Sequence, residues 1–107
     1  LLCTGHSPLG KNRYQKLLQK LDITKLRFRF FAAAGVELSA VASGKADAAI
    51  LSKIHPWDVL SGVLLVREAG GKVTNWQGKE WQITDDNLIA SNGKLHNKIL
   101  KFTKDIK

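Results

Sequence analysis

The chain contains no methionine, a single cysteine (Cys3) and only two prolines in 107 residues. One thiol cannot close an internal disulfide, so a stapled extracellular scaffold is excluded and a reducing compartment fits best. Long hydrophobic runs are missing too. The stretches 30–36 and 63–66 fall far short of the roughly 20 residues that cross a bilayer. No charged-then-apolar leader is seen, so the expected setting is cytoplasmic with no membrane partner. The first residues, Leu1-Leu2-Cys3-Thr4, read as mid-strand, and the chain is expected to be a fragment. No internal repeat or low-complexity tract is visible.

Acidic residues are also scarce, 9 against 17 Lys and Arg, for a net charge of +8. Such a balance suits an anionic partner or simply a Lys-biased wet surface. The positives are spread over two amphipathic segments, and the aromatic interleaving of RNA-binding surfaces is absent, so nucleic acid is not expected as a partner. A hydrophobic content of 44% is ordinary for a globular domain, and this length allows one domain with a modest core.

What is present alternates between strand-like and helix-like patterns. Asn12 could cap a helix with Tyr14, Leu17, Leu18 and Leu21 on one side. Before it, His6 sits in a Pro- and Gly-containing loop and reads as exposed. Arg27-Phe28-Arg29-Phe30-Phe31 alternates charge with aromatic, the period of a half-buried strand. A turn of small residues, Ala32-Ala33-Ala34-Gly35, leads to a helix expected over 36–43, with Val36, Ala40 and Val41 inward and Gly44 closing it. Ala48-Ala49-Ile50-Leu51 is apolar throughout and reads as a central strand. Further on, a strand over 72–76, a Gln77-Gly78 turn, a short extension over 81–83 and a strand over 88–92 are expected. Asp85 and Asp86 read as a solvated turn. Asn92 is the candidate cap of a last helix, with Leu95, Ile99, Leu100 and Phe102 inward and lysines outward.

The most informative stretch is 54–71, IHPWDVLSGVLLVREAGG. Pro56 suits the first position of a helix, where its missing N–H costs nothing. Asp58 then falls in the first turn, where the helix dipole favours a negative charge. Val59, Leu60, Val63, Leu64 and Val66 recur at helical spacing, so the helix is expected to be buried, and Gly70-Gly71 ends it. Asp58 has two readings: a first-turn helix acid, or a carboxylate held out from a rigid end as a hard-cation donor. His55, three residues earlier, reads less well as a metal ligand, and Lys53 as a solvated cation.

Trp57-Asp58, a small-residue helix and Glu68-Ala69-Gly70-Gly71 resemble the C-terminal signature of the inositol monophosphatase family, W-D-x-[small]-[small]-G-x-x-[apolar]-x-x-E-A-G-G. The only departure is Leu60 at the first small position. Ala40-Val41-Ala42-Ser43-Gly44-Lys45-Ala46-Asp47 is similar to the family's A-x-V-A-x-G-x-x-D helix end, and Leu88-Ile89-Ala90-Ser91-Asn92 to its last strand. The resemblance covers essentially the whole chain.

It implies a layered α/β domain with a mixed sheet flanked by helices, like the C-terminal half of that fold. Residues 1–107 would form this single domain, without the family's N-terminal metal-binding domain. No D-P-x-D-G-T loop, which carries most of the family's metal ligands, occurs in the chain. The implied activity is Mg2+-dependent phosphate monoester hydrolysis, with Asp58 as catalytic metal ligand and a small phosphorylated substrate. Ala34 lies in the turn that contacts substrate in relatives. Leu51 occupies the position where many members place a Glu that binds a sugar hydroxyl, an acceptor that Leu cannot supply. The implied partners are the N-terminal half of the same enzyme and a second subunit, since members commonly dimerise. The chain alone is expected to be inactive. The competing reading is a non-enzymatic basic module that binds an anion, nucleic acid or a protein.

Overall fold

Ala48–Ser52 is buried at every residue, and the sheet is built around it. The computed structural model describes residues 2–4, 28–29, 33–52 and 54–106. The elements are β1 (Leu2–Thr4), β2 (Phe28–Arg29), α1 (Ala34–Ala42), β3 (Ala48–Ser52), α2 (Pro56–Glu68), β4 (Lys72–Thr74), β5 (Asn87–Ser91) and α3 (His96–Thr103). The five strands lie in the order β2-β1-β3-β5-β4. β1 is parallel to both β2 and β3, whereas β5 runs antiparallel to β3 and β4. The sheet is therefore mixed, as its sequence pattern implies. The helix expected over the segment that begins at Asn12, together with His6 and Lys53, lies outside the described residues.

Alternation along β3 feeds two cores. Ala49 and Leu51 join Val73, Leu88, Ala90 and the inner residues of α1 and α2. Ala48 and Ile50 join Trp76, Ile89, Ile99 and Ile106 beneath α3. A strand covered on both faces must be apolar at successive positions, which is why 48–51 shows no alternation of polarity. The result is three layers: α1 and α2, the sheet, and α3.

α1 and α2 are both crossovers between parallel strands. α1 links β2 to β3 past β1, and α2 links β3 to β4 past β5. They pack extensively on each other. Gly62 permits this, because a Cβ there would sit 2.5 Å from Leu38 Cδ1 and 2.7 Å from Leu38 Cβ. Past α2, Gly70 takes φ 85°, and a Cβ on Gly71 would meet the Ser91 carbonyl at 2.6 Å. The Gly-Gly pair thus lets the chain turn and then pass directly against β5.

His96 ties α3 to the sheet. It is buried, its Nδ1 is 2.6 Å from Ser91 Oγ, and its Nε2 is 2.7 Å from Thr74 Oγ1. Thr74 donates its hydroxyl proton to the Asn75 carbonyl, so it accepts from Nε2–H. Ser91 accepts from the Gly93 N–H and donates to Nδ1. One neutral tautomer satisfies every bond. Burial, then Lys72 nearby, lowers the His96 pKa to about 4, with Glu80 opposing the shift.

Several boundaries differ from the sequence reading. α1 begins at Ala34 rather than at 36, so Val36 is 55% exposed and the inner stripe is Ala34, Glu37, Leu38 and Val41. α2 is buried on one side only. Leu60 and Leu64 are 43% and 55% exposed, while Val59, Gly62, Val63 and Val66 face inward. β4 stops at Thr74, because Asn75 Oδ1 accepts the Gln77 and Lys79 N–H groups and starts a turn. The expected extension over 81–83 forms no strand: an isolated bridge pairs Thr74 with Glu80, and the Trp81 N–H donates to the Val73 carbonyl. Asn92 does not cap α3. Its Oδ1 accepts the Lys94 N–H, and the helix starts after Leu95 without a side-chain cap. Finally, the stripe of α3 is anchored by His96, Ile99 and Thr103, with Leu95, Leu100 and Phe102 only half-buried.

Candidate functional site

Because β1, β2 and β3 are parallel, the helices that follow β2 and β3 both start at the carboxyl edge of these strands. This is the edge where open α/β sheets bind ligands. Ala34 is the first residue of α1, and Asp58 lies in the first turn of α2. The fold therefore brings these two predicted residues to one edge.

Asp58 is set by its neighbours in sequence. His55 is extended (φ −103°, ψ 139°) and offers no side-chain cap, Pro56 starts the helix, and the Asp58 N–H donates to the His55 carbonyl at 3.0 Å. The His55 ring stacks on Trp57 with centroids 4.7 Å apart and planes 7° from parallel. The Asp58 side chain is exposed and has no hydrogen-bond or ion-pair partner among the described residues. A carboxylate with both oxygens in water on a fixed helix end is a hard donor for an oxygen-seeking cation. It is one donor only, for no group of three or more His, Cys, Asp or Glu side chains converges among the described residues.

The helix starts add backbone donors. Neither α1 nor α2 has a side-chain cap, so the first N–H groups of α1 face the same edge without one. Ala34 itself is buried, so it can offer backbone but little side chain. Leu51 is fully buried in the core between the sheet and the two helices, and its carbonyl accepts Trp76 Nε1–H at 3.0 Å. It sits one residue from the end of β3, close in sequence to Asp58, with its side chain turned into the core. Asp85 accepts the Gln82 N–H at 2.9 Å, in keeping with a turn residue.

Sequence reasoning missed Glu37. It is fully buried in the first turn of α1, and neither carboxylate oxygen has a hydrogen-bond partner. Burial pushes its pKa up to about 7, with the Ala33 backbone offsetting part of the effect. The signal was the spacing Ala34, Glu37, Leu38, Val41, which puts an acid inside an apolar stripe once the helix starts at Ala34. A cleft of about 150 Å³, lined by Val41, Val66, Gly70, Gly71 and Ser91 among others, lies at the opposite ends of the helices, away from Asp58.

Comparison with known proteins identifies the family and the fold. The sequence model of the inositol monophosphatase family matches residues 2–107. The fructose-1,6-bisphosphatase/inositol-1-monophosphatase of Thermotoga maritima is 32% identical over 104 residues, covering 97% of this chain and 41% of its own length. Among solved structures, the Thermotoga maritima IMPase superposes with a TM-score of 0.85 at 30% identity, over 98% of this chain and 40% of that one. The extragenic suppressor protein suhB from Bartonella henselae gives 0.84 at 31% identity, over 97% and 41%. The chain thus spans about two fifths of the length of these relatives. Its mixed three-layer fold, its Trp-Asp helix start and its match along nearly every residue place the chain in the inositol monophosphatase family.

Proposed function

We propose that this chain is the C-terminal part of a metal-dependent phosphate monoester hydrolase, supplying one metal ligand and part of the wall around a small phosphorylated substrate. The observation that carries the reading is Asp58, an exposed and unpartnered carboxylate fixed at the start of α2 on the carboxyl edge of the parallel strands. When bound, Mg2+ would activate water and stabilise the leaving alkoxide. Asp58 would hold the cation from one side. The first-turn amides of α1, starting at Ala34, would face the phosphate oxygens, which a helix N-terminus favours. Leu51 supports a substrate that needs no carboxylate acceptor at that position, because its side chain is closed into the core.

A single carboxylate cannot retain Mg2+ against water, so the remaining ligands would come from the rest of the protein. No helix among the described residues is long and apolar enough to cross a membrane. The test is Mg2+-dependent phosphate release from a panel of phosphate monoesters, comparing residues 1–107 alone with the full-length protein. The expected result is silence from the chain and turnover by the full-length protein. Silence from both would remove the phosphatase reading.

A further inference from the structure

α1 keeps one acid on its inward stripe, and packing does not explain it. Glu37 is the only charged residue of α1, it is fully buried, and neither oxygen of its carboxyl has a hydrogen-bond partner. An apolar residue would fill the same place without the desolvation of a carboxylate. Side chains on a helix lean toward its N-terminus, and Glu37 lies about 4.5 Å along the axis from Ala34. Its carboxyl therefore reaches back under the first turn, where the Ala33 backbone acts on it. That turn has no side-chain cap, so its N–H groups and the positive end of the helix dipole are free to meet an anion. The start of α2 is level with it: Leu38 meets Gly62, and about one turn earlier in each helix stand Ala34 and Asp58. Of the elements packed on α1, β3 and β5 hold no titratable residue, while α2 holds Asp58 at this end and Arg67 and Glu68 at the other. The raised Glu37 pKa comes from burial, opposed by the Ala33 backbone, with no charged residue among the described ones contributing.

We propose that Glu37 is a positioning residue that links substrate binding to a proton: the first turn of α1 takes the phosphate only while the carboxyl folded beneath it is uncharged. The proposal rests on the reading of this turn as the phosphate-facing wall of a hydrolase. Two negative groups at one helix end repel each other, and in a buried setting that repulsion is weakly screened. With Glu37 neutral, the turn offers its amides and the helix dipole to the phosphate oxygens. With Glu37 ionised, the carboxylate occupies the same positive end from the inside, and the phosphate meets a like charge behind the amides. By linkage, an anion held there tightens the proton on Glu37 by the same factor that ionisation weakens the anion. Binding to the ionised form thus takes up a proton from water, and product release returns it. The carboxyl titrates at about 7, so the coupling is felt around neutral pH.

Sulfate is the probe, because it has the shape of phosphate and does not titrate near neutral pH. The full-length protein is assayed for Mg2+-dependent phosphate release with sulfate as inhibitor at pH 6 and pH 8.5. Between these values the inhibition constant should weaken by about tenfold more in the native protein than in Glu37→Gln, which carries no charge at either pH. Glu37→Leu should follow Glu37→Gln, since the charge and not a hydrogen bond is at issue. A purely structural role would move the constants at both pH values together. Equal pH dependence in the native protein and Glu37→Gln would overturn the proposal. So would a Glu37→Leu protein that melts like the native one at pH 6 yet loses sulfate inhibition at both values, for the turn would then need the hydrogen bond. Dilute sulfate, at an ionic strength fixed with chloride, should also raise the melting temperature, more at pH 6 than at pH 8.5 in the native protein and equally in Glu37→Gln. That melting pattern in a full-length protein without phosphate release would discard the hydrolase reading and keep the proton link. Phosphate release with the same sulfate response in native and variant proteins would do the reverse.

Discussion

Glu37→Gln should stabilise this domain above neutral pH and do little in acid. The native carboxyl is fully buried, has no hydrogen-bond partner, and titrates at about 7 instead of 4.5 because burial penalises its charge. A folded pKa raised above the unfolded one gives stability that is intact below about pH 4.5 and lost as pH rises through about 7. At 1.36 kcal/mol per pH unit the upper bound is about 3 kcal/mol, and screening near the helix end brings the expected loss to about 1–3 kcal/mol. Glutamine keeps the shape and removes the charge, so the variant escapes this loss. In a domain of this size each kcal/mol shifts the melting temperature by about 4–8 °C. Thermal melts followed by circular dichroism at pH 4 and pH 8.5 decide the matter. The variant should melt higher at pH 8.5, and the gap should close at pH 4. Equal melting at both values, or a less stable variant at pH 8.5, would mean that the Glu37 carboxylate finds a partner and that the argument from burial is wrong.

His96 titrates in the opposite sense. Its folded pKa of about 4 lies below the usual 6.5, so stability is full above pH 6.5 and falls as pH drops toward 4. In a Glu37→Gln background this loss should be visible in denaturant titrations, and His96→Gln should flatten the slope while lowering stability at pH 7 through the lost bonds to Ser91 and Thr74. Gly62→Ala should cost about 1–3 kcal/mol by overpacking, because the new Cβ would lie 2.5 Å from Leu38 Cδ1. Combining it with Leu38→Ala should give less than the sum of the single losses in a double-mutant cycle.

The order of strands and helices could be read from the sequence because each element carried a local signature: Pro56 and the Gly70-Gly71 pair bracket α2, and the unbroken apolar run of β3 marks a strand covered on both faces. The depth of burial was harder to read. Leu60 and Leu64 keep helical spacing with Val59 and Val63, yet they lie outside the sector of about 100° shared by the buried Val59, Gly62, Val63 and Val66, and an apolar residue does not declare which layer it meets. Asn92 fits a cap by residue type, but a four-residue bend delays α3, so its side chain serves the bend instead. Of the candidate site, Asp58 was legible through the motif and Ala34 through the turn before α1. Glu37 was not, because a helix taken to start at 36 leaves out Ala34 and puts Val36 inward, whereas the observed stripe of Ala34, Glu37, Leu38 and Val41 lies on a different face that includes the acid.

The most direct test of the account is Mg2+-dependent phosphate release by the full-length protein with Asp58→Asn. Asp58 is exposed and unpartnered, so the variant should fold and melt like the native protein. Its turnover should fall on the order of 10²-fold or more, since asparagine keeps the shape but removes the charge that holds the cation. Near-native turnover at an unchanged Mg2+ requirement would take Asp58 out of the site and contradict the account.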